Sequence, residues 1–102
     1  MAAPPPDRID LAEDAREDLA ALLSYLTERN PLAASRFFAR LNDTLALLAG
    51  HQPRLDGAPV TMPDGHPCRR MPVHPAAIVY DRSPGVLTVL RVYHHAREPI
   101  TR

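Results

Sequence analysis

Residues 30 and 31, an asparagine followed by a proline, constrain this chain more than any other pair. On both sides of them apolar residues recur at three- and four-residue spacing. Ala15, Leu19, Leu22, Leu23 and Leu26 form one stripe, and Ala34, Phe37, Phe38, Leu41, Leu45 and Leu48 form the next, the pattern of helices with one buried face. Asparagine is a strong N-cap, and proline fits the first helical turn because its missing N–H has no intrahelical partner there. The spacing therefore predicts a helix from Ala12 to about Arg29 and a second from Pro31 to Gly50, the latter residue a natural C-cap. Glu13 and Asp14 fall in the first turn of helix one, where the helix dipole favours anions. With almost no chain between them, the two helices must fold back as an antiparallel hairpin.

The flanking segments read as strands. Arg8 to Leu11 alternates polar and apolar residues; it fits a short first strand, while Asp10 with Glu13 fits a helix-capping pair. His51 to His66, rich in proline and glycine, reads as a loop with an extended piece near Val60. Cys68 to Val73, Ala76 to Asp81 and Val86 to Tyr93 are three short apolar runs. His74-Pro75 and Ser83-Pro84-Gly85 separate them, and turns that short force antiparallel neighbours. Pro72 points to an edge strand or a bulge in the first run. The expected fold class is α+β: a strand, a two-helix antiparallel hairpin, then a three-stranded antiparallel meander. Residues 1–7, with prolines at 4, 5 and 6, read as a disordered tail, and residues 8–102 as one domain.

Composition narrows the chemistry. Apolar residues make up 45% of the 102-residue chain, which argues against general disorder. Formal net charge is zero, so the global basic signal of a nucleic-acid binder is missing. All twelve basic side chains are arginine, which leaves no lysine for a shifted-pKa base or a Schiff base. One cysteine, Cys68, excludes an internal disulfide framework and suits a reducing compartment. Nucleophile-elbow, Walker A, zincin and dinucleotide-binding patterns are absent, and no cofactor or metal is expected. His94 and His95 are adjacent on a predicted strand and so point to opposite faces rather than to one ion. No apolar run approaches ~20 residues, and Met1–Pro6 lacks the regions of a signal peptide, so the cytoplasm is the expected location.

On the last strand, strict alternation places Leu90 and Val92 on one face and Leu87, Val89, Arg91 and Tyr93 on the other. Arg70, Arg91, Tyr93, His94, His95 and Arg97 then gather near one end of the sheet. Such a group suits a phosphate, a carboxylate or an acidic protein surface. The alternative is that Arg91 pairs with a local acid and Tyr93 caps the core.

These segments carry a resemblance. Arg16-Glu17-Asp18-Leu19 and Tyr25-Leu26-Thr27-Glu28-Arg29-Asn30-Pro31 resemble the first helix and helix turn of ParE-type toxins. His51-Gln52-Pro53-Arg54-Leu55-Asp56-Gly57 is similar to their loop after helix two, and Cys68-Arg69-Arg70-Met71-Pro72-Val73 and Ile78-Val79-Tyr80-Asp81-Arg82 to their next strands. Val89 to His94, with Ala96-Arg97-Glu98, resembles their closing strand. In the order of these segments, the stretch from Ile9 to Ile100 resembles a toxin of the RelE/ParE superfamily, on its ParE-like branch. The resemblance implies a type II toxin, neutralised by a cognate antitoxin from an adjacent gene, ParD-like or similar. The antitoxin's disordered C-terminal segment would fold along the toxin surface.

The superfamily divides by target. ParE-like members bind and inhibit DNA gyrase without catalysis. RelE-like members cut mRNA in the ribosomal A site, with basic residues at the phosphate and an acid or base for the 2′-hydroxyl. This chain departs from the nuclease pattern: it has no lysine, Ala76 and Ala77 stand near the expected third-strand arginine, and no tyrosine follows Arg97. The resemblance thus implies gyrase contact through Arg91, Tyr93, His94 and Arg97. The nuclease alternative would use Arg70, Arg91 and Arg97 on phosphate, with His94 or Tyr93 as acid or base. A third alternative is a non-toxic interaction module of the same fold.

Overall fold

The computed structural model describes residues 8–50 and 56–95. The predicted N-terminal tail, the first part of the loop after the second helix, and Arg97 lie outside them. The elements run β1 (Arg8–Leu11), α1 (Glu13–Arg29), α2 (Pro31–Ala49), β2 (Ala58–Thr61), β3 (Pro67–Val73), β4 (Ala76–Ser83) and β5 (Val86–His94). The strands form one five-stranded sheet in the order β1-β5-β4-β3-β2. β3, β4 and β5 are the expected antiparallel meander, and β1 joins it parallel to β5. Both helices pack on one face, so the architecture is the α+β layer that the sequence implies.

The helix junction forms as the Asn-Pro pair dictates. Asn30 alone links the helices, and its Oδ1 accepts a hydrogen bond from the Ala33 N–H at 3.2 Å. Replacing Asn30 with alanine should cost about 1 kcal/mol of unfolding free energy in urea denaturation, the usual worth of such a cap. The first helix lacks an equivalent: its N-cap is Ala12, with no side-chain bond. Asp10 pairs with Arg8 at 2.8 Å instead of capping with Glu13, because the strand continues through Leu11.

The core between helices and sheet holds Ala15, Leu22, Phe37, Leu41, Leu45 and Leu48 from the hairpin. Val73, Ala76, Ile78, Tyr80, Leu87, Val89 and Val92 face them from the sheet. Phe38 departs from its predicted stripe and is 46% exposed. It lies one residue, roughly 100°, around the helix from Phe37, beyond the width that the sheet covers.

The extended piece near Val60 is a full edge strand. β2 pairs Ala58–Thr61 with Pro67–Arg70, which makes β3 an interior strand over that stretch. Pro72 lies beyond the end of β2, where the outer edge of β3 has no ladder to break. A smaller apolar cluster of Val60, Cys68, Val79 and Tyr93, with Met62 and Leu90 against it, lies on the sheet face away from the helices.

Candidate functional site

Strand β5 meets β4 in two registers. Val86–Val89 lie opposite Tyr80–Ser83, and Arg91–His94 lie opposite Ala76–Val79, with an irregularity between Val79 and Tyr80. Leu90 is thus an extra residue on β5, a β-bulge that shifts the alternation by one. Leu87, Val89 and Val92 all face the helices, while Leu90 and Tyr93 belong to the cluster on the open face, and Arg91 sits opposite Val79 of that cluster. Strict alternation had grouped Leu87 and Val89 with Arg91 and Tyr93; the bulge separates them.

The edge of β5 explains what happens to Arg91. β1 stops pairing at Leu11 opposite Val89, and the Ala12 N–H donates to the Val89 carbonyl at 2.9 Å as the chain turns into α1. Beyond that point, among the described residues, no strand flanks this edge of β5, whose other edge stays paired with β4. The Asp18 carboxylate, from α1, takes the strand's place. Its Oδ2 accepts from the Val92 backbone N–H at 3.1 Å and from Arg91 Nε at 2.7 Å, and its Oδ1 accepts from Arg91 Nη2 at 3.1 Å. The guanidinium carbon lies 4.9 Å from the Tyr93 ring centroid. The hydrogen bonds that Arg91 donates to Asp18 raise the pKa of its guanidinium. Burial pushes the Tyr93 phenol up.

Beside this pair is an open groove of about 480 Å³. Leu90, Met62, Pro63 and Ala12 give it apolar walls, Tyr93 and Arg91 line it, and Asp14, Asp64 and His66 add polar groups. The β2–β3 turn supplies Met62 to His66 and is closed by a 2.9 Å bond from the Met62 N–H to the His66 carbonyl. His66 Nε2 lies 3.1 Å from Asp81 Oδ2.

The other expected site residues divide. Arg70, half-buried, sits opposite Val79 on the same face as Arg91, about 10 Å away by two strand spacings. His94 lies opposite Ala76 and so faces the helices. Its ring meets Tyr25 of α1 edge-on at 5.9 Å, and Arg29 lies 4.6 Å over that tyrosine. His95 pairs with the ring of His74 at 5.8 Å. The structure therefore brings Arg91, Tyr93 and Arg70 to one face and carries His94 to the other.

Two features escaped sequence reading. Asp18 is one, although its spacing from Ala15 and Leu22 put an acid on the buried stripe of α1, a signal that it needs a partner. The other is a polar cluster around the Tyr80 hydroxyl. Tyr80 Oη donates to Asp56 Oδ1 and accepts from the Gly57 N–H at 2.6 Å. Arg69 donates to the Gly57 carbonyl at 2.7 Å and lies 3.3 Å from Asp56. Burial opposes ionisation of Asp56, but Tyr80, the Gly57 N–H, Arg69 and Arg82 outweigh it and hold the carboxyl below its ordinary value. Gly57 is buried so close to β3 that a Cβ there would collide with the Arg70 carbonyl group, which restricts the position to glycine. This cluster fastens the chain to the sheet just before β2.

Among the described residues, no helix is long and apolar enough to cross a membrane. No curated protein is significantly similar to the chain in sequence. Solved structures share the fold. A chain of the chromosomal ParDE toxin–antitoxin system from P. aeruginosa matches with a TM-score of 0.68 at 15% identity, covering 86% of this chain and 95% of that one. A chain of the RelBE2 toxin–antitoxin complex from Mycobacterium tuberculosis matches with a TM-score of 0.53 at 18% identity, covering 89% of this chain and 100% of that one. The family model of the ParE toxin of the type II toxin–antitoxin system parDE matches residues 9–99. With that match spanning the hairpin, the sheet and the Arg91–Tyr93 face, the chain belongs to the ParE toxin family.

Proposed function

We propose that the chain is a toxin neutralised by an antitoxin encoded beside it, and that it arrests growth by binding DNA gyrase in the cytoplasm without cutting nucleic acid. The observation that carries this reading is the charge balance of the open-face groove. Its arginine, Arg91, is already matched by Asp18, and Asp14 and Asp64 stand beside it. A phosphodiester backbone gains little from a cation that is already neutralised and meets repulsion from the carboxylates. The remaining donors of the guanidinium suit the carbonyl oxygens of a protein segment. Tyr93, sheltered and with its phenol pKa raised, and His94, on the opposite face, do not converge on one reacting atom.

A protein partner also suits the helical side. Tyr25, Leu32, Phe38 and Leu47 are large apolar residues between 42% and 57% exposed, the kind of surface that a folding antitoxin segment covers.

Purified toxin should block gyrase supercoiling at micromolar concentration, and Arg91→Ala should raise the half-inhibitory concentration about tenfold or more, as for a central arginine at an interface. In a translating extract, A-site mRNA should stay intact. Unaffected gyrase together with cleaved mRNA would reverse the assignment, and unimpaired growth on induction without antitoxin would indicate a non-toxic module.

A further inference from the structure

We infer that Asp18 is the positioning residue for Arg91, holding the guanidinium at the groove in the orientation that meets the partner. The inference rests on the partner-binding reading above and adds a residue to it. A free arginine on an open sheet face samples many rotamers and loses that freedom on binding. Here the freedom is already lost. Nε and Nη2 are both bonded to one carboxylate, which fixes the plane of the guanidinium as a single bond would not.

The carboxylate is itself fixed. Its Oδ2 also accepts the Val92 N–H, the edge donor left without a strand where β1 ends. The Asp18 side chain is 20% exposed and that of Arg91 33%, so the pair is sheltered at the Asp18 end and open at the guanidinium. The bulge at Leu90 puts Arg91 on the open face, and the helix supplies the anchor. An acid needed only to satisfy the strand edge would bond Val92 and leave Arg91 alone.

The test is a mutant cycle in the full chain, read by gyrase inhibition, by growth arrest on induction and by thermal unfolding. Asp18→Asn keeps an oxygen for the Val92 N–H and removes the charge. Arg91→Lys keeps the charge and leaves Asp18 on Val92, but removes the two-point grip. Each should raise the half-inhibitory concentration about tenfold with a melting temperature within about 5 °C of the parent. Asp18→Asn combined with Arg91→Ala should be no weaker than Arg91→Ala alone, because both remove one interaction. Full potency in Asp18→Asn beside a weak Arg91→Ala, or losses that multiply, would overturn the positioning role and leave the gyrase reading standing. Growth arrest without gyrase inhibition sinks the gyrase reading instead, and the same cycle scored on growth then decides the role of Asp18.

Discussion

Phe37→Ala should lower the unfolding free energy by about 3–5 kcal/mol, while Phe38→Ala, one residue on, should change it by less than about 0.5 kcal/mol. Phe37 is 1% exposed and belongs to the core cluster between the helices and the sheet. Truncating it removes the contacts of an aromatic ring and leaves a void that the sheet, fixed by its ladder, cannot collapse into. A domain of this size has about 5–15 kcal/mol in total, so the variant should sit near its unfolding threshold at physiological temperature. Phe38, 46% exposed, has little burial to lose. Its truncation should instead weaken antitoxin binding, because it belongs to the apolar surface left open on α2. Urea denaturation of the two variants side by side is the measurement. Equal losses would mean that the second helix is rotated about its axis so that Phe38 is buried as well.

That pair of residues marks how far the sequence was legible. The hairpin could be read because its signals are local: a 3.6-residue period, a cap and a proline all lie within a turn or two of what they specify. The width of the stripe could not, since it depends on how much of α2 the sheet covers. On β5 the period-two rule held through Val89 and then failed at Leu90. A bulge moves every later residue to the other face without leaving a mark in composition, so Arg91 and Tyr93 were grouped with the wrong neighbours. Two further features depend on contacts far apart in the chain. Asp18 meets Arg91 across 73 residues, and Asp56 meets Tyr80 across 24. In each case nothing local named the partner: Asp18 stands on the buried stripe of α1 with no mate nearby in sequence, and Tyr80 looks like another apolar strand residue. The expected group of Arg91, Tyr93 and His94 is split in space, because adjacent strand residues face apart.

The second large effect should appear at alkaline pH and trace to Tyr80. Burial comes first among the causes that push its phenol to about 12, followed by its hydrogen bond to Asp56. An unfolded tyrosine titrates near 10. The folded state therefore favours the protonated phenol, and the stability this contributes is complete below pH ~10 and lost as pH rises from ~10 to ~12. Two pKa units correspond to roughly 2–3 kcal/mol. Burial also raises Tyr93 and Cys68, so both add to the same alkaline loss. Asp56 sets the opposite limit. Its carboxyl is held below the unfolded value of 3.8, so its contribution is present above that pH and lost as pH falls through the folded value.

Tyr80→Phe should lower stability at neutral pH by about 1–2 kcal/mol, the cost of leaving Asp56 and the Gly57 N–H with one partner fewer. It should also flatten, without abolishing, the decline between pH 10 and 12. Urea denaturation across that range, alongside phenolate absorbance, separates the two effects. If Tyr80 titrates near pH 10 with no matching loss of stability, the Tyr80–Asp56 bond does not fasten the chain before β2. The consequence reaches the groove. β2 leads directly into the turn that carries Met62 and Pro63 over the open face. Loosening its entry should therefore weaken partner binding in Tyr80→Phe even where the fold survives, through a residue buried on the opposite side of the sheet from Arg91.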